Sequence, residues 1–419
     1  MLYTQPAALR REFGGAVHLP GERGYDEQRR ALNPALDPRP ALVAEAGGPA
    51  DVRAAVLAAG EDGLALAVQA TGHGTHAACD GALLLKTTKL AAVTVAPVRR
   101  VARVGPGALW GHVLEAAAPY GLAPLAGSSP TVGVTGFTLG GGVGWLSRRY
   151  GFAADSVLRA EVVTADGRHL TATPDRHPDL FWALRGGGGN FGVVTSLEFR
   201  LYPVAEVYAG IAYFPFTGAA GTLAAYRDWA AGAPREMSTA LMLTTLPGTS
   251  ERAVAVKAMY AGSAEHGRRL LAPLWAAAGP VLAGGLNSMG FAQAAMGGTP
   301  ARHLDLFETL PDPVIDTLVA AGATVEVRHW GGAMADPGPA AGPVGHRNTA
   351  FSVIIDAQVP GVAEALRPYA AGGSFLNFLS DTGRTATAYT ATDHHRLRQV
   401  KRAYDPSNLF RTGHTIDPA

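Results

Sequence analysis

Hydrophobic and polar residues along positions 1–203 follow helical periodicity in some blocks and strand alternation in others. Helical periodicity predicts helices at residues 47–63, 107–118 and 177–184. Alternation predicts a strand at 65–70, two strands within 93–104, a hairpin within 157–172 and a strand at 193–201. A short apolar run lies at 82–85. The hairpin prediction rests on Asp166 and Gly167, which supply the residue types of a tight turn.

The pattern changes near Pro203, where longer strands alternate with helices. Strands are predicted at 207–214, 240–245, 253–260, 323–328 and 351–357, and helices at 222–231, 265–271 and 313–321. This order predicts a second α+β domain with a mixed or antiparallel sheet. The fold class predicted for the chain is therefore α+β.

Composition limits the classes of protein that need to be considered. The chain has 419 residues, more than one ordinary core accommodates, so two domains are expected. Hydrophobic residues make up 47% of the chain, enough for buried cores. The formal net charge of +1 provides no basic surface for nucleic acid or an anionic membrane, so neither partner is expected.

Three observations favour a cytoplasmic location. Cys79 is the single cysteine, so an internal disulfide is excluded and a reducing compartment is favoured. The N-terminal residues lack the apolar core of a signal peptide. Residues 116–147 carry no charge, but Pro119, Pro124, Pro130 and many glycines prevent one continuous membrane helix.

Two glycine-rich segments, at residues 127–145 and 185–194, carry the strongest chemical signal. The second contains a G-x-G-x-x-G pattern at Gly187, Gly189 and Gly192. A helix precedes this pattern and a strand follows it, which is the reverse of a Rossmann site. Glycine-rich backbone can direct N–H groups at a pyrophosphate, although tight turns would explain a single cluster equally well.

A third glycine-flanked turn, TGHG at residues 71–74, contains His73. Three interpretations are open: a plain turn residue, a metal ligand paired with His76, or the attachment point of a cofactor. No further Cys/His cluster lies nearby in the sequence, so no metal is expected. A dinucleotide lying along all three clusters would explain them together.

Longer motifs occur in a fixed order along the chain. They are RPALV at 39–43, TGHG at 71–74, SSPTVGVTGFTLGGGVGWLSRRYG at 128–151, AEVVTADG at 160–167, HPDLFWALRGGGGNFGVVTSLEFRLYP at 177–203 and RLRQVKRAYDPSNLFR at 396–411. With these motifs the sequence resembles the FAD-linked oxidases of the vanillyl-alcohol-oxidase and p-cresol-methylhydroxylase (PCMH) superfamily, in the berberine-bridge-enzyme-like branch. The motifs cover nearly all of the flavin-binding half. They also cover the start of the C-terminal return, the last segment of the chain from residue 396 onwards, which comes back to that half.

The resemblance implies three parts: a PCMH-type FAD-binding domain of two α+β subdomains at 1–203, a substrate-binding domain at 204–372, and a C-terminal segment at 373–419 that completes the flavin site. It also implies that a ring nitrogen of His73 is bonded to the 8α-methyl carbon of FAD. The other residues implied to bind FAD are Thr71, Gly72, Gly74, Thr75, Ser129, Val132, Gly133, Gly136, Gly140, Gly141, Gly142, Gly144, Gly192, Val193, Val194 and Asn408.

The sequence departs from the family at the position of a second flavin bond. Many relatives have a cysteine in a G-x-C-P-T-V-G stretch, where this chain has Ser129. Cys79 lies elsewhere and is interpreted as a small buried or loop residue. The predicted cofactor is therefore FAD with a single covalent bond, through His73.

A second departure concerns the general base. Phe375 and Phe378 replace the tyrosines of a Y-x-N-Y element found in alcohol- and sugar-oxidising relatives, and they are expected to line the substrate pocket. A supporting carboxylate is missing near residues 353–355, and strand alternation can direct Asp356, the nearest acid, away from the flavin. Replacement bases are sought among four candidates: His329, His346, Tyr389 and Glu326.

The resulting hypothesis is an FAD-dependent oxidase that transfers hydride from a small organic substrate to flavin N5, with dioxygen as acceptor and hydrogen peroxide as product. The loss of both phenols favours an amine, a hydrophobic alcohol or an intermediate of secondary metabolism over an oligosaccharide. One alternative is a flavin-containing protein that sequesters a ligand without turnover. Another is a metal-dependent hydrolase that uses His73 and His76. A monomer or a homodimer is expected.

Overall fold

A computed structural model describes residues 6–419, whose strands form three sheets. The helices are α1 (Pro6–Glu12), α2 (Tyr25–Gln28), α3 (Pro49–Glu61), α4 (Trp110–Ala117), α5 (Val134–Leu139), α6 (Ser147–Tyr150), α7 (Pro178–Leu184), α8 (Ala219–Ala230), α9 (Ala264–Ala278), α10 (Asp312–Ala320), α11 (Val362–Leu366) and α12 (Ala391–Tyr404). The strands are β1 (Ala16–His18), β2 (Leu42–Glu45), β3 (Leu66–Gln69), β4 (Leu83–Lys86), β5 (Val93–Ala96), β6 (Val101–Val104), β7 (Val157–Val163), β8 (His169–Ala172), β9 (Val193–Arg200), β10 (Glu206–Pro215), β11 (Met237–Thr245), β12 (Arg252–Tyr260), β13 (Ala283–Gly290), β14 (His303–Phe307), β15 (Val325–His329) and β16 (Phe351–Ile355).

The first sheet is mixed and has the order β1-β2-β4-β3. Strands β2 and β3 both pair in parallel with β4, and α3 connects them. Helix α3 has Pro49 in its first turn, where a backbone N–H would lack a helical partner anyway. Val52 and Val56 of α3 pack in one core with Leu66 and Leu85 of the sheet.

The second sheet is antiparallel, in the order β5-β6-β9-β7-β8. Its β7–β8 hairpin turns through Gly167, whose positive φ of 76° suits glycine. Neighbouring residues of this sheet point to opposite sides: Val163 and Val193 enter the core of the first sheet, whereas Val162 and Val194 pack in a core of their own sheet. The two sheets therefore form one packed unit.

The third sheet is antiparallel throughout, in the order β13-β10-β12-β11-β15-β16-β14. Helices α8, α9 and α10 cover one face through a core that includes Leu223, Leu241 and Val327. The opposite face is turned towards the glycine-rich segment 127–145, because Ala240 of β11 shares a core with Trp145. This face therefore packs against one of the segments that carry candidate site residues.

The predicted α+β class and the large sheet are confirmed, and the sheet is antiparallel. The hydrophobic pattern does not predict β13 or β14. Strand β13 has the sequence AGGLNSMG, whose three glycines and polar residues remove the alternating signal, and β14 has five residues. Within the part of the chain that is described, none of the helices is long and apolar enough to cross a membrane.

The C-terminal return is tied to the glycine segment 185–194 by buried polar groups. Lys401 of α12 donates from Nζ to a carboxylate oxygen of Asp405 at 2.6 Å and to the backbone carbonyls of Asn190 at 3.0 Å and Phe410 at 3.1 Å. Both Lys401 and Asp405 have 0% of their side chains exposed. The Asn190 side chain accepts from Ile416 N at 2.9 Å, which fixes the same two segments again.

Arginines join the third sheet to the rest of the molecule. Arg148 of α6 is buried and donates to the carbonyls of Met237 at 2.7 Å and Trp330, and to Nε2 of His329 at 2.9 Å. Arg347 forms a two-pronged ion pair with Asp155 at 2.9 and 2.8 Å. A guanidinium suits such contacts because its planar N–H groups bond several acceptors at once.

We expect Lys401→Met to lower the free energy of unfolding by about 3–5 kcal/mol, because it leaves the Asp405 carboxylate buried without its cation. Chemical denaturation followed by circular dichroism measures this change. Arg402→Met is the matched control: Arg402 neighbours Lys401 on α12 but is exposed, and we expect a change within about 0.5 kcal/mol. Equal effects of the two substitutions would contradict the assigned importance of the buried pair.

Acid should destabilise the fold through His329. Burial, with a contribution from Arg148, lowers the pKa of His329 from 6.5 to about 3. The unfolded chain therefore binds a proton at this residue below about pH 6.5 that the folded chain does not bind until about pH 3. This contribution to stability is fully present above pH 6.5 and is lost as the pH falls.

The substitution His329→Gln keeps an acceptor for Arg148 but does not titrate. We expect the decrease in Tm between pH 7.5 and pH 5.5 to be smaller in this variant than in the wild type. Expressed as free energy of unfolding, the difference is up to about 1.4 kcal/mol per pH unit. The control is His395→Gln, since His395 is exposed on α12. A pH dependence of Tm unchanged in His329→Gln would disprove the assignment.

Candidate flavin site

The TGHG turn follows β3 and presents His73 at the surface. Gly72 has a φ of +82°, and a Cβ there would lie 2.4 Å from Nε2 of Gln69, so position 72 requires glycine. Gly74 has open space where a Cβ would be, with no atom within 4 Å. Thr75 N donates to Gly72 O at 3.1 Å and closes the turn. The turn thus combines an exposed imidazole with backbone that a ligand can approach.

His73 lies between two threonine hydroxyls. Its Nδ1 is 3.1 Å from Oγ1 of Thr71, and its Nε2 is 3.4 Å from Oγ1 of Thr131. Oγ1 of Thr131 is also 2.9 Å from Oγ of Ser129. The structure therefore brings together His73 and Ser129, the two positions at which the resemblance places flavin bonds. Partial burial lowers the pKa of His73, so its ring is neutral near pH 7.

The predicted FAD-binding glycines fall into two groups. Gly136, like Gly74, has open space at its Cβ position. At the other predicted FAD-binding glycines of the two long segments, a Cβ would contact protein atoms: Thr71 for Gly133, Asn377 for Gly140, Phe375 for Gly141, Phe137 for Gly142, Ala126 O for Gly144 and Val162 for Gly192. Close packing within the protein accounts for the missing side chains in this second group.

Four buried polar atoms in or near these segments lack a hydrogen-bond partner within residues 6–419. They are Oγ1 of Thr135 and Nε1 of Trp145 in the first glycine segment, Nε of Arg185 in the second, and Oδ1 of Asn408 in the C-terminal return. Buried polar groups are normally paired, and a bound ligand would provide partners for such atoms. Together with the open backbone at Gly74 and Gly136 and the neutral His73 ring, they fit a cofactor with many polar groups, as FAD has.

The predicted FAD-binding valines are placed differently. Val132 packs at the edge of the core of the second sheet. Val193 and Val194 begin β9 and direct their side chains into separate cores. For these two residues, only backbone atoms are left to contact a cofactor.

Three of the four candidate bases are engaged elsewhere. His329 is buried, its Nε2 accepts from Arg148, and its pKa, lowered to about 3, makes it a poor proton acceptor near neutral pH. Nε2 of His346 lies 2.8 Å from the carbonyl of Thr387. Tyr389 is buried, its hydroxyl lies 3.3 Å from Gly186 O, and burial raises its pKa far above the ordinary value. These contacts give each side chain a structural role.

The fourth candidate, Glu326, lies in a buried cluster of charges. Its Oε1 accepts from Nε of Arg328 at 3.0 Å and from Nη2 at 2.7 Å, and its Oε2 is 3.5 Å from Nζ of Lys257. Oε2 also accepts from the hydroxyl of Thr299 at 2.8 Å. Burial acts to raise the pKa of Glu326, but the two cations outweigh it and hold the pKa below its usual value. Glu326 therefore stays ionised and is a poor base.

Phe375 and Phe378 contact each other and an aromatic group between the sheets. Their ring centroids are 5.4 Å apart, and that of Phe375 is 5.5 Å from Phe152 and 5.3 Å from Trp330. Between them in sequence, Asn377 accepts from Gly142 N at 2.9 Å and donates to Phe137 O at 3.0 Å. The FLNF element is thereby fixed against the first glycine segment. Asp356 accepts from Thr324 N at 3.1 Å, at the end of β16.

Sequence reasoning missed four residues that the structure places at the site: Thr131, Asn377, Lys257 and Arg328. A signal existed for Arg328, because TVEVR alternates apolar and charged residues and so predicts a strand with one charged face. Cys79 is a buried free thiol. No group of three or more His, Cys, Asp or Glu side chains among residues 6–419 is arranged to hold a metal ion.

Two family models match the chain at the segments just described. One is described as an FAD binding domain and matches residues 40–173. The other is described as berberine and berberine like and matches residues 374–417. The first contains the TGHG turn and the glycine segment 127–145, and the second contains the FLNF element and Asn408.

Similar proteins support the same assignment along almost the whole chain. (R)-6-hydroxynicotine oxidase of Paenarthrobacter nicotinovorans is 29% identical over 96% of this chain and 97% of its own. The structure of Physcomitrella patens BBE-like 1 has a TM-score of 0.89 at 22% identity, covering 98% of both chains. That of glucooligosaccharide oxidase from Acremonium strictum, described with a 6-S-cysteinyl, 8α-N1-histidyl FAD, has a TM-score of 0.82 at 23% identity and covers 97% of both chains.

The matched domains, the similar proteins and the cofactor site agree on one assignment. The chain carries an FAD binding domain and a berberine-like domain, and it is an FAD-linked oxidoreductase similar to the berberine-bridge-enzyme-like proteins.

Proposed function

We propose that this protein is an FAD-dependent oxidase whose cofactor is covalently held by His73 alone. The observation that carries the proposal is the position of His73, exposed between Thr71 and Thr131 and beside Ser129. Bound FAD would supply the redox chemistry, accepting a hydride at N5 and passing electrons to dioxygen to give hydrogen peroxide. The protein's side chains supply attachment, position and the shape of the substrate pocket.

His73 is suited to form the bond. A neutral imidazole has a nitrogen lone pair available, and the lowered pKa of His73 keeps the ring in this form. The hydroxyls of Thr71 and Thr131 lie near one ring nitrogen each and restrict how the ring can turn. The relative from Acremonium strictum is described with a histidyl bond to the 8α carbon, which supports the proposal of the same kind of bond here.

Ser129 limits the attachment to this one bond. In the same relative the flavin is described with a second, cysteinyl bond. A serine hydroxyl is a much weaker nucleophile than a thiol at neutral pH. Ser129 instead forms a hydrogen bond with Thr131.

The substrate is a small amine or a hydrophobic alcohol. Phe375 and Phe378 carry no proton-accepting group, and His329, His346 and Tyr389 are engaged in structural hydrogen bonds. An amine that reacts in its neutral form loses hydride without a strong base, so it suits a pocket of this composition. One relative is named for its action on a hydroxynicotine, which agrees with this choice.

We expect His73→Ala to release its flavin on denaturation in acid or SDS, whereas the wild type keeps about one FAD per chain attached to the polypeptide. Flavin fluorescence in the denatured band and intact mass measure the attachment. Ser129→Ala is the matched control, since it alters the neighbouring position and should leave the flavin attached. Flavin that remains attached to His73→Ala would contradict the assigned bond.

The substitution Ser129→Cys tests the same geometry by adding an attachment point for the flavin instead of removing one. Because Ser129 and His73 both contact Thr131, a thiol at position 129 should reach the same flavin. The double variant His73→Ala/Ser129→Cys is therefore expected to regain covalently attached flavin. Its failure to do so, while FAD still binds reversibly, would argue against a shared flavin position.

Turnover is tested by mixing the protein with amines and hydrophobic alcohols. We expect at least one such compound to bleach the flavin absorbance without oxygen, and admitted oxygen to restore it with one hydrogen peroxide per flavin. Compounds that shift the flavin spectrum without bleaching it would point to sequestration. Bleaching without peroxide would point to a different electron acceptor.

A further inference from the structure

Buried positive charges outnumber negative ones on one face of the third sheet. This is the face turned towards the glycine segment 127–145. Glu326 and Arg328 lie two residues apart on β15, so they share this face, while Val325 and Val327 enter the helix-covered core. Lys257, Ala240 and Arg328 are aligned across β12, β11 and β15. The small Ala240 leaves room for the Lys257 side chain to reach Glu326.

Two cations in this cluster are opposed by one carboxylate. The exposed fraction is 5% for Lys257, 0% for Glu326 and 6% for Arg328. Both oxygens of Glu326 are occupied by Arg328, Lys257 and Thr299. A positive charge is left over, and an excess buried charge is unfavourable unless a further group neutralises it.

The donors of Arg328 are only partly used. Nε and Nη2 bond Glu326, and Nη2 is also 3.4 Å from Oγ of Ser128. The guanidinium lies over the ring of Trp145, 4.9 Å from its centroid. Nη1 has no hydrogen-bond partner among the residues that the structure describes. Arg328 therefore reaches the flavin segment next to Ser129 with an unused N–H pair.

A buried apolar cluster adjoins this charge on the same sheet face. Ile354 of β16 is directly opposite Glu326 of β15. Ile354 belongs to the core that contains Phe375, and Phe378 packs against that core. A cation and a cluster of aromatic rings thus adjoin each other beside this sheet face, an arrangement that matches a molecule with an anionic end and an apolar body.

We propose that Arg328 determines specificity by binding a carboxylate group carried by the amine or alcohol substrate, whose apolar body packs against Phe375 and Phe378. The inference rests on the proposed function, because it concerns the substrate of the same flavin site. A guanidinium is the side chain best suited to a planar carboxylate, since it donates parallel N–H bonds. Lys257 and Glu326 are positioning residues that fix the Arg328 side chain.

Binding of benzoate and of its neutral isostere benzamide to the flavin-loaded protein tests the proposal. Changes in the flavin absorbance spectrum and isothermal calorimetry give the two dissociation constants. We expect benzoate to bind the wild type at least about tenfold more tightly than benzamide. Arg328→Gln should weaken benzoate binding by about 10- to 100-fold and change benzamide binding by less than about twofold.

Two further variants separate recognition from structure. Arg99→Gln removes an exposed arginine of the linker between β5 and β6, and benzoate binding should be unchanged. Arg328→Lys keeps the charge without the planar donors and should give an intermediate affinity. Tm and flavin content show whether each variant is folded.

Comparison of the two probes on the wild type does not depend on any variant being folded. Equal binding of benzoate and benzamide, including no binding of either, overturns the proposal, as does preference for benzoate that persists in Arg328→Gln. If the purified protein holds no flavin, the proposed oxidase function fails. Calorimetry with the same probes still tests Arg328 in that case, so the two failures are distinguishable.

Discussion

A buried ammonium–carboxylate pair, Lys401 with Asp405, holds the flavin half of the molecule together. The ammonium also bonds the carbonyls of Asn190 and Phe410, which belong to segments far apart in the sequence. Removing charges from water is unfavourable, and only such complete bonding offsets it. The glycine segment 185–194 and the C-terminal return, which contains Asn408, are therefore held in place by their bonds to each other.

Arginine performs the equivalent task between the flavin half and the third sheet. Arg148 bonds backbone carbonyls and His329 of that sheet, and Arg347 from the other side bonds Asp155. Arg328 belongs to the same boundary but differs in having donors left over. Arg148 and Arg347 thus hold the flavin half and the third sheet at a fixed separation, whereas Arg328 has N–H groups left to bind a ligand between them. Trp145, under Arg328, limits where its charge can move.

The sequence predicts the elements with regular periodicity and the turn that carries His73, because both signals are local. It does not predict β13, whose glycines remove alternation, or α5, whose VTGFTL sequence lies among glycines that favour turns. The contacts of His73 with Thr131 and of Asn377 with Gly142 join segments distant in the chain. Such contacts depend on packing, which local pattern does not encode. For the same reason, the engagement of His329 and Tyr389 becomes visible only in the folded chain.

The C-terminal return also affects the order in which the protein can be completed during synthesis. Residues 204–372 leave the ribosome before α12. They form the third sheet, whereas α12 ties together segments that belong with the first two sheets. Domains generally fold as units while the chain emerges, N-terminal parts first. The first two sheets must therefore wait, without the bonds of Lys401, while the whole third sheet is translated. During this interval the apolar surfaces that α12 covers stay exposed, and a stop codon ahead of α12 would leave them permanently uncovered.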